Sequence, residues 1–120
     1  MPLTSAITPY NESWPDLFRQ EAARLRPVFG GACLDFEHVG STAVEGLSAK
    51  AEIDMLVIVS SSKDLNEWED ALRLLGYRRG GDLSLNHHFF KRDFNDVRTH
   101  KLHICGSGHA IVRKMISLRD

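Results

Sequence analysis

The sequence predicts one α+β domain, and three observations carry that reading. Apolar residues recur at helical spacing in three stretches, 14 to 28, 63 to 75 and 108 to 119. A run rich in Val and Ile at 52 to 59 has the composition of a strand buried on both faces. Two further runs, 86 to 92 and 97 to 105, flank a short turn at 93 to 96 and read as a β-hairpin.

In order along the chain, the first helix carries Leu17, Phe18, Ala22, Leu25 and Val28 on its inner face, with Asn11 or Ser13 as cap and Pro15 in the first turn. Gly30 and Gly31 end it. A strand over 32 to 38 follows, in which Cys33, Asp35 and Glu37 face opposite to Leu34 and Phe36 and which delivers His38 to a loop. After the buried strand, Ser62 caps the second helix, whose Leu65, Trp68, Leu72 and Leu75 lie at helical spacing, and Gly76 stops it. The run from Tyr77 to Gly81, with Arg78 and Arg79, reads as a solvated basic loop. Ser107 is the expected cap of the third helix, whose inner face holds Ile111, Val112, Met115 and Leu118.

The chain has 120 residues, 42% of them hydrophobic and 26% charged, enough for one domain, 1–120, with a core of its own. Its formal charge of -1 removes the basic excess behind non-specific nucleic-acid binding, so nucleic acid is not an expected partner. No window approaches the roughly eighteen apolar residues of a membrane span. The N-terminus has neither a charged nor an apolar signal region, and the expected location is cytoplasmic. Cys33 and Cys105 form no C-x-x-C pair and are expected as buried, reduced thiols.

The chemistry concentrates between Glu37 and Val59. Gly40 lets the backbone turn and approach a ligand, while the Ser41 hydroxyl and the amides beyond it, including that of Thr42, can donate to phosphate oxygens. Asp54 lies inside an apolar strand, where an ionised carboxylate is costly unless paired, hydrogen-bonded or bound to metal. Strand period puts Glu52 on the same face as Asp54, and the two together suit magnesium or manganese shared with a substrate phosphate. The alternative is structural: Asp54 pairs with Lys50, Arg98 or a histidine, and Glu52 is solvated. Lys50, Lys91 and Arg98 are the cations suited to phosphate, and each equally suits a surface ion pair. Alternation in the last strand puts Thr99, Lys101 and His103 on one face and His100, Leu102 and Ile104 on the other. His38, His100 and His103 form either an acid-base or metal site with Asp54 or a set of hydrogen-bonded structural imidazoles.

Several separated motifs resemble the GrpB family, whose fold is nucleotidyltransferase-like. They are Tyr10-Asn11, Trp14-Pro15, Phe18, Glu21, the run Glu37 to Val44, Gly46-Leu47, Lys50 and Ile53-Asp54. Further on they are Leu75-Gly76-Tyr77, Phe89-Phe90-Lys91, Arg98-Thr99-His100, Leu102-His103 and Leu118-Arg119-Asp120. The resemblance implies a mixed β-sheet flanked by helices, with nucleotide phosphate at Gly40, Ser41 and Thr42 and a metal at Asp54. It adds weight to His100 against simple alternation. Working nucleotidyltransferases place a second acidic residue two positions after the first, where this chain has Leu56, and Glu52 is the candidate replacement. The chain also departs from the family pattern at Glu45, Ala51, His88 and Lys101. Family members continue past the Arg-Asp pair, which implies a shortened C-terminal helical part and an apolar face met by a second copy in a homodimer.

Two functions follow as expectations. In the first, a nucleotide binds with a divalent metal, Ser41, Lys50 and Arg98 hold phosphate, Asp54 with Glu52 holds the metal, and His103 is the base for transfer of a nucleotidyl group to a small acceptor. In the second, the same pocket binds a nucleotide or small anion without chemistry.

Overall fold

The computed structural model describes residues 7–120. Its elements are α1 (Trp14–Phe29), β1 (Cys33–Val39), β2 (Ile53–Val59), α2 (Leu65–Leu74), β3 (Arg78–Ser84), β4 (His87–Phe94), β5 (Val97–Gly106) and α3 (Ala110–Arg119). The five strands form one sheet in the order β1-β2-β5-β4-β3. β2 and β5 run parallel, and the other neighbouring pairs are antiparallel. The fold is the expected α+β arrangement of a mixed sheet flanked by helices.

The helices divide between the two faces of the sheet. On one face α1 and α2 bury Trp14, Leu25, Phe29, Trp68 and Leu72 against Phe36, Met55, Val57, Phe90, Leu102 and Ile104. Each such side chain taken fully from water contributes roughly 1.5–3 kcal/mol. On the other face α3 leans on Val39, Leu56 and Cys105 through half-buried Ile111, Val112, Met115 and Ile116. β2 is therefore apolar on both faces, as its composition requires, with Asp54 as its one acidic residue.

Local chemistry explains most boundaries and corrects some expected ones. Asn11 Oδ1 accepts hydrogen bonds from the Ser13 amide at 2.8 Å and the Ser13 hydroxyl at 2.6 Å, which fixes the chain's approach to α1. Leu17, expected inside, is 43% exposed, because the buried stripe of α1 runs through Trp14, Glu21, Ala22, Leu25 and Phe29. Leu34 is exposed as well, since β1 shifts register between Cys33 and Asp35. Neither expected serine cap holds: α2 begins behind Asp64, and at α3 it is His109 whose Nδ1 accepts the Ile111 amide at 3.0 Å. The β4–β5 turn is as expected, with Asn95 and Asp96 at φ of 51° and 64°, the two left-handed positions of a type I′ hairpin.

The segment expected as a solvated loop at Tyr77 to Gly81 is instead the start of β3, with Tyr77 buried ahead of it. Arg78 faces Lys91 and Arg79 faces Phe90 across the ladder. Gly80 is required there, because a Cβ would lie 2.5 Å from the Phe89 ring. Arg79 binds Glu69 at 2.9 Å and Asp82 at 2.6 Å. The arginines are thus spent on carboxylates of the same chain.

A buried ionic knot ties α1 to the sheet. Tyr77 donates its hydroxyl to Glu21 at 2.5 Å, Arg24 donates to both Glu21 oxygens at 2.9 and 2.7 Å and to the Leu75 carbonyl at 3.0 Å, and Arg92 lies 3.5 Å away. Burial alone would raise the Glu21 pKa, but the hydrogen bonds from Arg24 and Tyr77 more than offset it and hold the carboxyl below its ordinary value. Of the cysteines, Cys105 is buried, with its thiol pushed up to about 12 by burial, and Cys33 is half-buried.

Candidate functional site

The site forms where β1 ends beside the start of β2. Val39 pairs with Asp54, and Gly40 then turns the chain with φ of 76° into a short 3-10 turn, Ser41–Ala43. A Cβ on residue 40 would lie 2.2 Å from Asp54 Oδ2, so only glycine lets the loop lie against that carboxylate. The loop continues to Ala49, which bridges to Thr8 in both directions at 2.8 and 2.9 Å and closes one wall.

The result is a cavity of about 300 Å³ whose lining includes Ser41, Thr42, Lys50, Glu52, Asp54 and Lys101. A larger hollow of about 670 Å³ beside α3 is lined by Gly108, His109, Val112, Arg113 and Ile116 among others and contains no carboxylate. The smaller cavity brings together the Gly-Ser loop, both expected metal carboxylates and one expected phosphate cation.

Thr42 is buried, and its hydroxyl donates to the Glu52 carbonyl at 3.0 Å. Its single proton being used there, the 3.0 Å contact with His38 is donated by His38 Nε2–H. His38 stacks on Phe18 at 4.9 Å, and burial followed by the nearby Arg119 pushes its pKa down to about 4. It is a neutral imidazole bracing the loop from the α1 face. Ser41 is exposed at the mouth.

Asp54 differs from the other carboxylates. Its Oδ1 is buried with no hydrogen-bond partner among the described residues. Lys101, placed opposite it by the parallel register, puts its ammonium 3.9 Å from Asp54 Oδ1 and 3.0 Å from Glu52 Oε1. Burial is the main force raising the Asp54 pKa to about 6; Lys101 lowers it and Glu52 raises it further.

The remaining candidates lie elsewhere. His103 faces Leu56 in register, one step beyond Lys101 on the same side of the sheet, and its Nδ1 meets His87 Nε2 at 2.9 Å. Burial, then His87 and Lys101, push its pKa down to about 4, and it does not line the cavity. His100 follows the alternation onto the α1 face, edge-on to Tyr77 at 6.3 Å and with Nδ1 2.8 Å from the Thr99 hydroxyl. Arg98 is held by Asp93 at 2.5 Å near the β4–β5 turn. Lys91 lies across the ladder from Lys101, outside the cavity lining.

Among the described residues, no group of three or more His, Cys, Asp or Glu side chains is set to hold a metal ion. The donor set at the cavity still fits magnesium or manganese in one specific way. Glu52 and Asp54 supply hard oxygens, one of them unpartnered, and magnesium commonly takes one or two carboxylates and completes its shell with water and substrate phosphate. Sequence reasoning missed Lys101 as a member of the site and the structural use of the Thr42 hydroxyl. A local signal for the first is lacking, because the parallel β2–β5 register alone sets Lys101 beside Asp54. Among the described residues no helix is long and apolar enough to cross a membrane.

Comparison with known proteins agrees with this architecture. A UPF0157 protein of Halalkalibacterium halodurans is 39% identical over 114 residues, covering 92% of this chain and 56% of the relative. The chain thus spans about half the length of that relative. The crystal structure of the conserved protein GrpB from Enterococcus faecalis superposes with a TM-score of 0.88 at 29% identity, over 95% of this chain and 70% of that one. The Cid1 poly(U) polymerase, in a structure bound to MgATP, shares the fold with a TM-score of 0.60 at 14% identity, over 94% of this chain and 38% of the polymerase. The family described as GrpB protein matches residues 4–120, and the chain belongs to it.

Proposed function

We propose that this chain is a nucleotide-binding domain of nucleotidyltransferase-like fold, whose ligand is held by its phosphates in the cavity between the Gly40 loop and β2. The observation that carries the reading is the approach of the loop to Asp54: position 40 has no room for a Cβ, Asp54 lines the cavity, and its buried Oδ1 has no hydrogen-bond partner among the described residues. Ser41, the amides that open its turn and Lys50 are the groups for phosphate oxygens. Glu52 and Asp54 are the residues that would hold magnesium or manganese, whose charge would bind the same phosphates. The MgATP of the Cid1 structure belongs to that polymerase and lends the reading its ligand class.

Binding without transfer is the better-supported form. The position two residues after Asp54 is Leu56, fully buried against Val39 and Cys105, so the carboxylate pair must come from Glu52. No imidazole lines the cavity among the described residues, and His103 Nδ1 lies instead against His87 Nε2 at 2.9 Å.

Thermal unfolding with ATP, GTP, CTP and UTP, each with and without magnesium or manganese, tests this. At least one nucleotide with metal raises Tm, and Asp54→Ala removes the rise. Absence of a shift with every nucleotide sinks the reading. Pyrophosphate release above a Ser41→Ala control would instead establish transfer.

A further inference from the structure

Lys101 stands where a metal ion would stand. Its ammonium reaches Glu52 Oε1 at 3.0 Å and lies 3.9 Å from Asp54 Oδ1, between the two carboxylates with metal-binding chemistry. The longer distance is beyond hydrogen-bond range, which leaves Asp54 Oδ1 neutralised through space but without a donor. One positive charge thus serves two carboxylates. A divalent ion bound by both would need its oxygens at about 2.0–2.1 Å, and an ammonium within 4 Å of them would repel it.

We propose that Lys101 is a tethered cation that holds the metal position of the cavity against free divalent ions. Its side chain is 34% exposed, on a stem flexible enough to leave when a second anion offers itself. If the cavity takes nucleotide phosphate, as proposed above, the arriving phosphate is that anion. The ammonium then moves to the phosphate, and metal enters with the ligand. The first step rests only on the carboxylates and the lysine; the second rests on the nucleotide reading.

The probe is manganese chloride alone, with free Mn²⁺ read by electron paramagnetic resonance, on the full chain. Lys101→Met and Lys101→Gln bind one Mn²⁺ at least about tenfold more tightly than the unmodified chain, because a like charge a few ångströms away is gone. Lys101→Arg, which keeps the charge, stays as weak as the unmodified chain. Adding Glu52→Gln to Lys101→Gln abolishes the gain. Equal Mn²⁺ affinity with and without Lys101 overturns the proposal, as does a gain that survives loss of Glu52. Far-UV circular dichroism checks that each variant folds, and Lys101→Gln carries the test if Lys101→Met does not. A second arm compares the Tm of the unmodified chain with ATP, Mn²⁺ or both. A rise with both that exceeds the two separate rises supports entry of metal with ligand. A gain in the lysine variants with no response to ATP, GTP, CTP or UTP leaves the tethered cation standing and sinks the nucleotide reading.

Discussion

Glu21 and Asp54 are both carboxylates withdrawn from water, and the protein treats them in opposite ways. Glu21 has Tyr77 on one oxygen, Arg24 on both and Arg92 at the edge, and its carboxyl is held below the ordinary range. Asp54 has a bare Oδ1 and an ammonium at 3.9 Å, and burial raises it to about 6. A buried charge that is fully bonded is part of the framework; one left short of ligands stores unused binding capacity. The side of the sheet under α1 and α2 is closed chemistry, whereas the open end of β2 carries a carboxylate oxygen with no hydrogen-bond partner among the described residues.

Removing each carboxylate separates the two cases, and the largest effect is expected at Glu21. Glu21→Ala leaves Arg24, Arg92 and the Tyr77 hydroxyl uncompensated and is expected to cost about 3–5 kcal/mol in urea unfolding. A loss below 1 kcal/mol would erase the contrast. Gly40→Ala comes next. Positive φ at that residue alone costs about 1–3 kcal/mol, and the contact with Asp54 adds to it. Combining Gly40→Ala with Asp54→Gly is expected to recover the steric part only, so a double variant no better than the single one would show that the close approach carries no weight.

Asp54→Asn sharpens the comparison through pH. The folded value near 6 exceeds the ordinary 3.8, so between those values the folded chain keeps a proton that the unfolded chain has released. Asp54 therefore makes stability fall as pH rises from about 4 to 6, by at most about 3 kcal/mol, and Asp54→Asn removes that fall. Glu21 has the opposite sign: its contribution is present above its ordinary 4.5 and is lost as pH falls through its lowered folded value. Unfolding midpoints of the two variants across pH 3 to 8 distinguish these slopes. The smallest effect is expected for Arg98→Ala, which breaks a partly exposed pair with Asp93 and costs less than about 1 kcal/mol. Any nucleotide-induced Tm shift should survive it, since Arg98 stands outside the cavity.

Much of this architecture could be read from local chemistry. β2 announced itself by apolar residues on both faces, the hairpin by two strand-like runs around a short turn at 93 to 96, and the helix ends by Gly30 and Gly76. The Gly40 loop and Asp54 were read together as one phosphate and metal site, and the antiparallel β1–β2 pairing brings them together across their connection. Leu17 misled because it lies next to the buried stripe of α1 and one step around a helix separates core from water. β3 was illegible for a physical reason: an edge strand wet on both faces has no hydrophobic alternation to display. Lys101 was hidden by distance, since nothing local to either strand says which residue a parallel partner will bring alongside. His100 obeyed alternation and lies on the α1 face, apart from the Asp54 cavity.

The same edge strand bears on how this molecule meets its own copies. β3 is exposed almost throughout, it shifts register between Arg79 and Gly81 and again between Asp82 and Ser84, and it carries Arg78, Arg79 and Asp82 along its length. A straight, apolar edge offers a template on which another chain can extend the sheet; bulges and charges spoil that template. The irregularity that concealed β3 in the sequence thus serves as a guard against edge-to-edge aggregation.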